Sequence, residues 1–203
     1  MRTCPHRRPA RARAGLSLLE SMIALTLLGL VVTNITMVMR ATSSSYDTGA
    51  AASALQVQTS QTIDRIALAL AAASRDALIP APQSPLFSSE VAYETSLGQE
   101  DGELVWDDPE RIELDLVDGK VVWRQNPDAS DERAIVWGKH VSALFEGELP
   151  NGVDDNGNGL VDETGLSFTT EGNSVLIRLT LERVDGDGPP LRSTLETRVT
   201  CRN

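Results

Sequence analysis

The stretch LSLLESMIALTLLGLVVTNITMVM, from Leu16 to Met39, decides how the rest of the chain is read. It carries one charge, Glu20, and is bounded by Arg13 before and Arg40 after. At about 1.5 Å of rise per residue, a helix of this length crosses a hydrocarbon core of about 30 Å. Arginines ahead of the apolar run hold that end cytoplasmic, so the body of the chain is expected on the opposite side of the membrane. An ordinary secretory signal has a shorter apolar core followed by a small-residue cleavage site. No A-x-A-like site follows Met39, and the segment is expected to remain as a transmembrane helix.

Immediately before the run stands Gly15, and with Glu20 it gives G-L-S-L-L-E. This arrangement, a basic leader ending in glycine and a hydrophobic helix with glutamate at its fifth position, resembles the type IV prepilin and type II secretion pseudopilin signal. The resemblance implies cleavage by a prepilin peptidase between Gly15 and Leu16 and N-methylation of Leu16. Leu16 departs from the phenylalanine that the family usually carries there. The resemblance also implies a bacterial inner-membrane protein with a cytoplasmic N-terminus and a periplasmic domain, extractable into a filament.

Glu20 has a physical argument of its own. An ionisable side chain inside an apolar segment costs about 2.5–3.5 kcal/mol on insertion scales and needs a partner. Nothing else in the run can pair with it. The positive N-terminal amine of a neighbouring subunit is a suitable counter-charge, and the family uses that pairing to set subunit register.

Beyond Arg40 a polar SSSYD patch leads into an alanine-rich stretch that lacks Pro and Gly from Ala50 to Ile79. Leu55, Ile63, Ile66, Leu70 and, after a shift, Leu78 recur near helical spacing, which predicts an amphipathic continuation of the helix over 40–79. Pro80, Pro82 and Pro85 then open a connector. Further on the period changes: RIELDLV, Asp118-Gly119 and KVVWRQN read as a hairpin with a two-residue turn. Other strand candidates are Glu103 to Trp106, Ala134 to Trp137, His140 to Glu146, Leu166 to Thr170, Val175 to Arg183 and Leu191 to Cys201. The expected fold is α+β and pilin-like, a long N-terminal helix packed on an antiparallel sheet. Its parts are a leader over 1–15, a transmembrane and assembly helix over 16–39, the continuation over 40–79 and a β-rich periplasmic domain over 80–203. The order of the hairpin, the VSALF segment and the long SVLIRLTLERV strand is similar to that of J-type minor pseudopilins and W-type minor pilins.

Within that domain, NGVDDNGNGLVDETG over 151–165 resembles a calcium loop. Counted from Asp154, oxygen side chains fall at positions one, three and five (Asp154, Asn156, Asn158), glycine at six (Gly159) and aspartate at nine (Asp162). Alternating oxygens wrap a hard cation, the glycine permits the sharp turn, and position seven, Leu160, offers a backbone carbonyl. Position twelve should be a bidentate glutamate, but it is Gly165, so Asp162 or Glu163 is expected to complete the shell around Ca2+. An acidic, glycine-rich turn that binds nothing is the competing reading.

The formal net charge is -11, and without the leader's five arginines 13 basic residues face 29 acidic ones. An acidic body argues against nucleic acid as a direct partner. Cys4 lies in the leader, which leaves Cys201 unable to form an intrachain disulfide in the mature chain and raises the question of an intermolecular one. The histidines are His6, in the leader, and His140; no catalytic motif is recognisable and no organic cofactor or enzyme activity is expected. The function implied is that of a minor pseudopilin-like subunit of a type II secretion pseudopilus, working with other pseudopilins, the prepilin peptidase, an inner-membrane assembly platform and secreted cargo. Two alternatives stand beside it: a minor pilin of a type IV pilus, and a membrane-anchored periplasmic calcium-binding module that does not polymerise.

Overall fold

The computed structural model describes residues 17–79, 86–184 and 189–201. Gly15 and Leu16 lie outside the described residues, as do the leader and Pro80, Pro82 and Pro85. The chain divides into two compact units, Met1–Thr48 and Gly49–Asn203.

The first unit is helical from Leu18, as the opening part of α1 (Leu18–Ala72). Ser17 stands just outside: its Oγ accepts the Glu20 N–H at 3.2 Å, and its carbonyl accepts the Ser21 N–H at 3.1 Å. A serine before a leucine run with glutamate three residues on is a helix-start signature, and here the serine half of it is formed. Every residue from Ser17 to Thr48 is exposed, including Leu18, Leu25, Leu30 and Val38. The segment is long and apolar enough to cross a membrane.

Among the described residues, the second unit holds the C-terminal part of α1 and nine strands in three antiparallel sheets. The first sheet has the order β1 (Glu90–Tyr93), β4 (Glu110–Asp115), β5 (Lys120–Gln125), β6 (Arg133–Lys139). β2 (Ser96–Glu100) and β3 (Glu103–Trp106) form a two-stranded ribbon. The third sheet is β7 (Leu166–Glu171), β8 (Ser174–Arg183) and β9 (Leu191–Thr200), with β8 in the middle. Backbone bonds of Ser88 with Phe168 (3.0 and 2.8 Å) and the Leu114 N–H to Ser89 O (3.0 Å) tie the first sheet to the third.

Leu55, Ile63, Ile66 and Leu70 share one face of α1 and are buried in one core with Ile112 and Val121 of the first sheet and Val175, Ile177, Leu179 and Leu181 of β8. Thr59 and Thr62 lie on the same buried face. Thr59 Oγ1 donates to Leu55 O at 2.8 Å, and Thr62 Oγ1 to Trp137 O at 3.4 Å. The α+β class and the antiparallel pairing follow the expectation.

Three local expectations need correction. The helix ends at Ala72, short of residue 79. Ala73 and Ile79 bridge Thr95 and Ala92, and a 3₁₀ turn over Arg75–Ala77 lies between them. Bonds from Ser74 N to Glu94 O (3.2 Å) and from Ile79 N to Ala92 O (2.9 Å) compensate for the helical ones lost. The hairpin turn has four residues, 116–119, because Asp115 pairs with Lys120. Asp115 Oδ1 caps it by accepting the Val117 and Asp118 N–H groups at 3.0 and 3.2 Å. Finally, 140–146 is no continuous strand but carries isolated bridges, Val141 to Leu181 and Leu144 to Thr164. Positive φ values bound it, 65° at His140, its first residue, and 93° at Gly147, just after it.

The approach of α1 to β6 is close enough to exclude a side chain. A Cβ on Gly138 would lie 2.8 Å from Thr62 Cγ2. Gly138→Ala is expected to cost about 1–3 kcal/mol in denaturant unfolding of the full chain in detergent. Added to Thr62→Ala, which clears the space, the same change should cost at least about 1 kcal/mol less.

Candidate functional sites

Two regions carry the residues singled out by sequence. The first is the start of α1. Polar side chains of the apolar segment are turned onto the helix itself: Thr26 to Ile23 O, Thr33 to Gly29 O, Asn34 to Leu30 O and Thr36 to Val32 O, each at 2.8 Å. A hydroxyl or amide satisfied this way makes little demand on its surroundings. Glu20 differs, because its carboxylate has no partner among the described residues, although its backbone N–H donates to Ser17 Oγ.

The second region is a lobe spanning 146–162, closed at its base where 143–145 meets 163–165. Phe145 N donates to Glu163 O at 2.8 Å and Gly165 N to Ala143 O at 3.4 Å. Asp154 organises the turn. Its Oδ1 accepts the N–H groups of Gly157 (2.6 Å) and Asn158 (3.2 Å), and its Oδ2 that of Gly159 (2.8 Å). Asn156 Oδ1 accepts the Asn158 N–H at 3.0 Å, and Asn158 Oδ1 the Leu160 N–H at 2.8 Å. Gly159, at φ 89°, permits the bend that position six requires. Leu160 is buried, which anchors the far side of the loop.

Asp162 and Glu163 behave differently from each other. Asp162 faces back along the chain and clamps the start of the loop by accepting the Asn151 and Gly152 N–H groups at 3.0–3.1 Å. Glu163 points inward and is fully buried. Its Oε1 accepts from Arg178 Nη1 at 2.9 Å and from Ser167 Oγ, and its Oε2 from Asn158 Nδ2 at 2.7 Å. Arg178 is shared with Glu196 at 3.4 Å. Side chains alternate along a strand. Val175, Ile177, Leu179 and Leu181 turn to the helix, which leaves Arg178 and Thr180 on the other face. There the lobe covers them, with Glu146 N bonded to Thr180 Oγ1 at 3.3 Å. Among the described residues no group of three or more His, Cys, Asp or Glu side chains is gathered as a metal centre.

A residue absent from the sequence argument also belongs here. Glu148 is buried, with 6% of its surface exposed, and its Oε1 accepts the Asn156 N–H at 3.3 Å. Its Oε2 is buried without a hydrogen-bond partner. Glu148 lies outside the twelve-residue pattern, so motif spacing gave no signal for it; the acidic GEL segment just before Pro150 was the available hint.

His140 is exposed, and its carbonyl accepts the Glu182 N–H at 2.7 Å. Elsewhere in the unit, Trp123 and Trp137 stack with ring centroids 5.8 Å apart. Trp123 Nε1 donates to Glu110 Oε2 at 3.0 Å and to Tyr93 Oη at 3.3 Å. Burial, and then the neighbouring Glu110, pushes the Tyr93 hydroxyl upward in pKa, so it stays protonated. Cys201 follows β9 as a free, buried thiol. Burial raises its pKa. It is poorly placed to meet a second chain.

No family model matches the chain, and no significant match was found among curated proteins or solved structures.

Cys201 should alkylate with iodoacetamide at pH 8 more than about a hundredfold slower in the folded protein than in urea, read by mass spectrometry, because only the opened chain exposes a thiolate. Equal rates would contradict its burial.

Proposed function

We propose that this protein is a membrane-inserted, pilin-like subunit, a minor pseudopilin that assembles through its N-terminal helix into a type II secretion pseudopilus. The observation that carries the reading is the lone carboxylate of Glu20, exposed and unpartnered near the start of an apolar helix whose other polar side chains are largely satisfied on their own backbone. A charge so placed asks for a counter-charge from another molecule. The N-terminal amine of a neighbouring subunit, freed by cleavage between Gly15 and Leu16, supplies one of matching sign.

The α+β layout agrees with a subunit whose helix assembles and whose sheet domain projects. In this reading the prepilin peptidase removes the basic leader and methylates Leu16, an inner-membrane platform loads the subunit, and the acidic domain faces the periplasm to contact other pseudopilins or cargo. Ser17 gives Glu20 a second, local role: a carboxylate in the first turn also favours the helix dipole. That role alone predicts a change in helix stability and none in assembly.

The test is mass spectrometry of the mature N-terminus together with crosslinking and affinity capture in the producing cell, for wild type and Glu20→Ala. A chain beginning at methylated Leu16 that captures minor pseudopilins and platform proteins is expected. Glu20→Ala should insert normally yet lose co-capture roughly thirtyfold, about 2 kcal/mol for a charge-assisted contact. Capture of a major pilin would assign the subunit to a type IV pilus. An uncut leader with Glu20→Ala indistinguishable from wild type would leave a solitary anchored module.

A further inference from the structure

We propose that the 146–162 lobe is a calcium site whose closing carboxylate comes from outside the twelve-residue pattern that starts at Asp154, from Glu148. The loop lacks its usual last ligand because Gly165 holds the twelfth position, and the packing gives the reason. A Cβ at Gly165 would lie 2.0 Å from the Ser142 carbonyl oxygen and 2.8 Å from its carbon. No side chain fits there, so a bidentate glutamate at that position is sterically excluded.

Glu163, two residues earlier, is not free to replace it. Its Oε1 is taken by Arg178 and Ser167, and its Oε2 holds the Asn158 amide, so it positions that ligand from below. Asp162 is turned to the start of the loop, where it accepts the Asn151 and Gly152 N–H groups, away from the turn that carries Asn156 and Asn158.

Glu148 has what these two lack. One carboxylate oxygen rests on the backbone N–H of Asn156, the loop's third position, and the other is buried with no partner. A buried ionised carboxylate needs a positive charge. Among the described residues no lysine or arginine pairs with Glu148, and the sequence contains none between Lys139 and Arg178, a span with seven carboxylates.

A hard dication answers both needs. Asp154 Oδ2, Asn156 Oδ1 and Asn158 Oδ1 each accept a single N–H, so each oxygen keeps a lone pair, and the Leu160 carbonyl stands at the seventh position. With Glu148 they form an all-oxygen set with two carboxylates, suited to calcium in preference to zinc or copper. Calcium would thereby join the segment before Pro150 to the turn at 154–160. The site stands independently of whether the helix polymerises.

The test uses the full chain in detergent, stripped with chelator, and reads thermal unfolding at fixed ionic strength. Calcium is expected to raise Tm with saturation at one ion per chain, by several degrees more than equal magnesium. Asp154→Ala should abolish the shift. Glu148→Gln removes the unpaired charge, so it should raise the calcium-free Tm while weakening calcium affinity at least tenfold. That opposite movement separates ligation from a general loss of fold. No calcium response in wild type, an equal response to magnesium, or wild-type affinity in Glu148→Gln would overturn the proposal.

Discussion

Leu55, Ile63, Ile66 and Leu70 need a partner surface, because leaving such side chains in water forfeits roughly 1.5–3 kcal/mol for each. β8 answers with Val175, Ile177, Leu179 and Leu181, four residues at the strand's period of two. That choice has a cost on the other face. A strand that turns every second residue toward the helix turns Arg178 and Thr180 the opposite way, and both are buried there too. The 146–162 lobe is the cover, so the loop's position follows from the helix's apolar stripe by way of one strand's alternation.

Beneath that cover lies a polar network. Ser167, Thr169, Arg178 and Thr180 are buried, and Glu163 reaches down from the loop to meet them. A buried ion pair adds little net stability, but removing one member strands the other. One carboxylate, that of Glu163, bonds Arg178, Ser167 and Asn158 together and so ties the lobe to the sheet beneath it. The turn carrying Asp154 is therefore held from below as well as by its own bonds.

Much of this was legible in the sequence where a physical signal is local. Strands β3 and β5 were foreseen from alternation and composition, β7, β8 and β9 within a residue or two, and the α1 face from helical spacing. What escaped depended on contacts remote in sequence. α1 stops at Ala72 because the chain leaves to pair with Thr95 and Ala92, and no residue between 72 and 79 is a helix breaker. β1 and β2 were missed because EVAY is short and SLGQE is largely exposed and polar, so neither shows an alternating pattern of useful length. In the loop, motif spacing located Asp154, Asn156 and Asn158, yet it could not distinguish an inward Glu163 from an outward Asp162. Nor could it reach Glu148, whose relation to Asn156 exists only after folding.

The back-bonded threonines and asparagine of the apolar helix bear on how indifferent that segment is to its medium. A side chain that keeps its hydrogen bond on its own carbonyl has the same partner in lipid, in detergent or against another helix. Passage between such surroundings changes few of the segment's polar contacts, and the free-energy difference between them falls to surface fit and to one carboxylate. Of the polar side chains in that helix, Glu20 is the one whose contacts depend most on its surroundings.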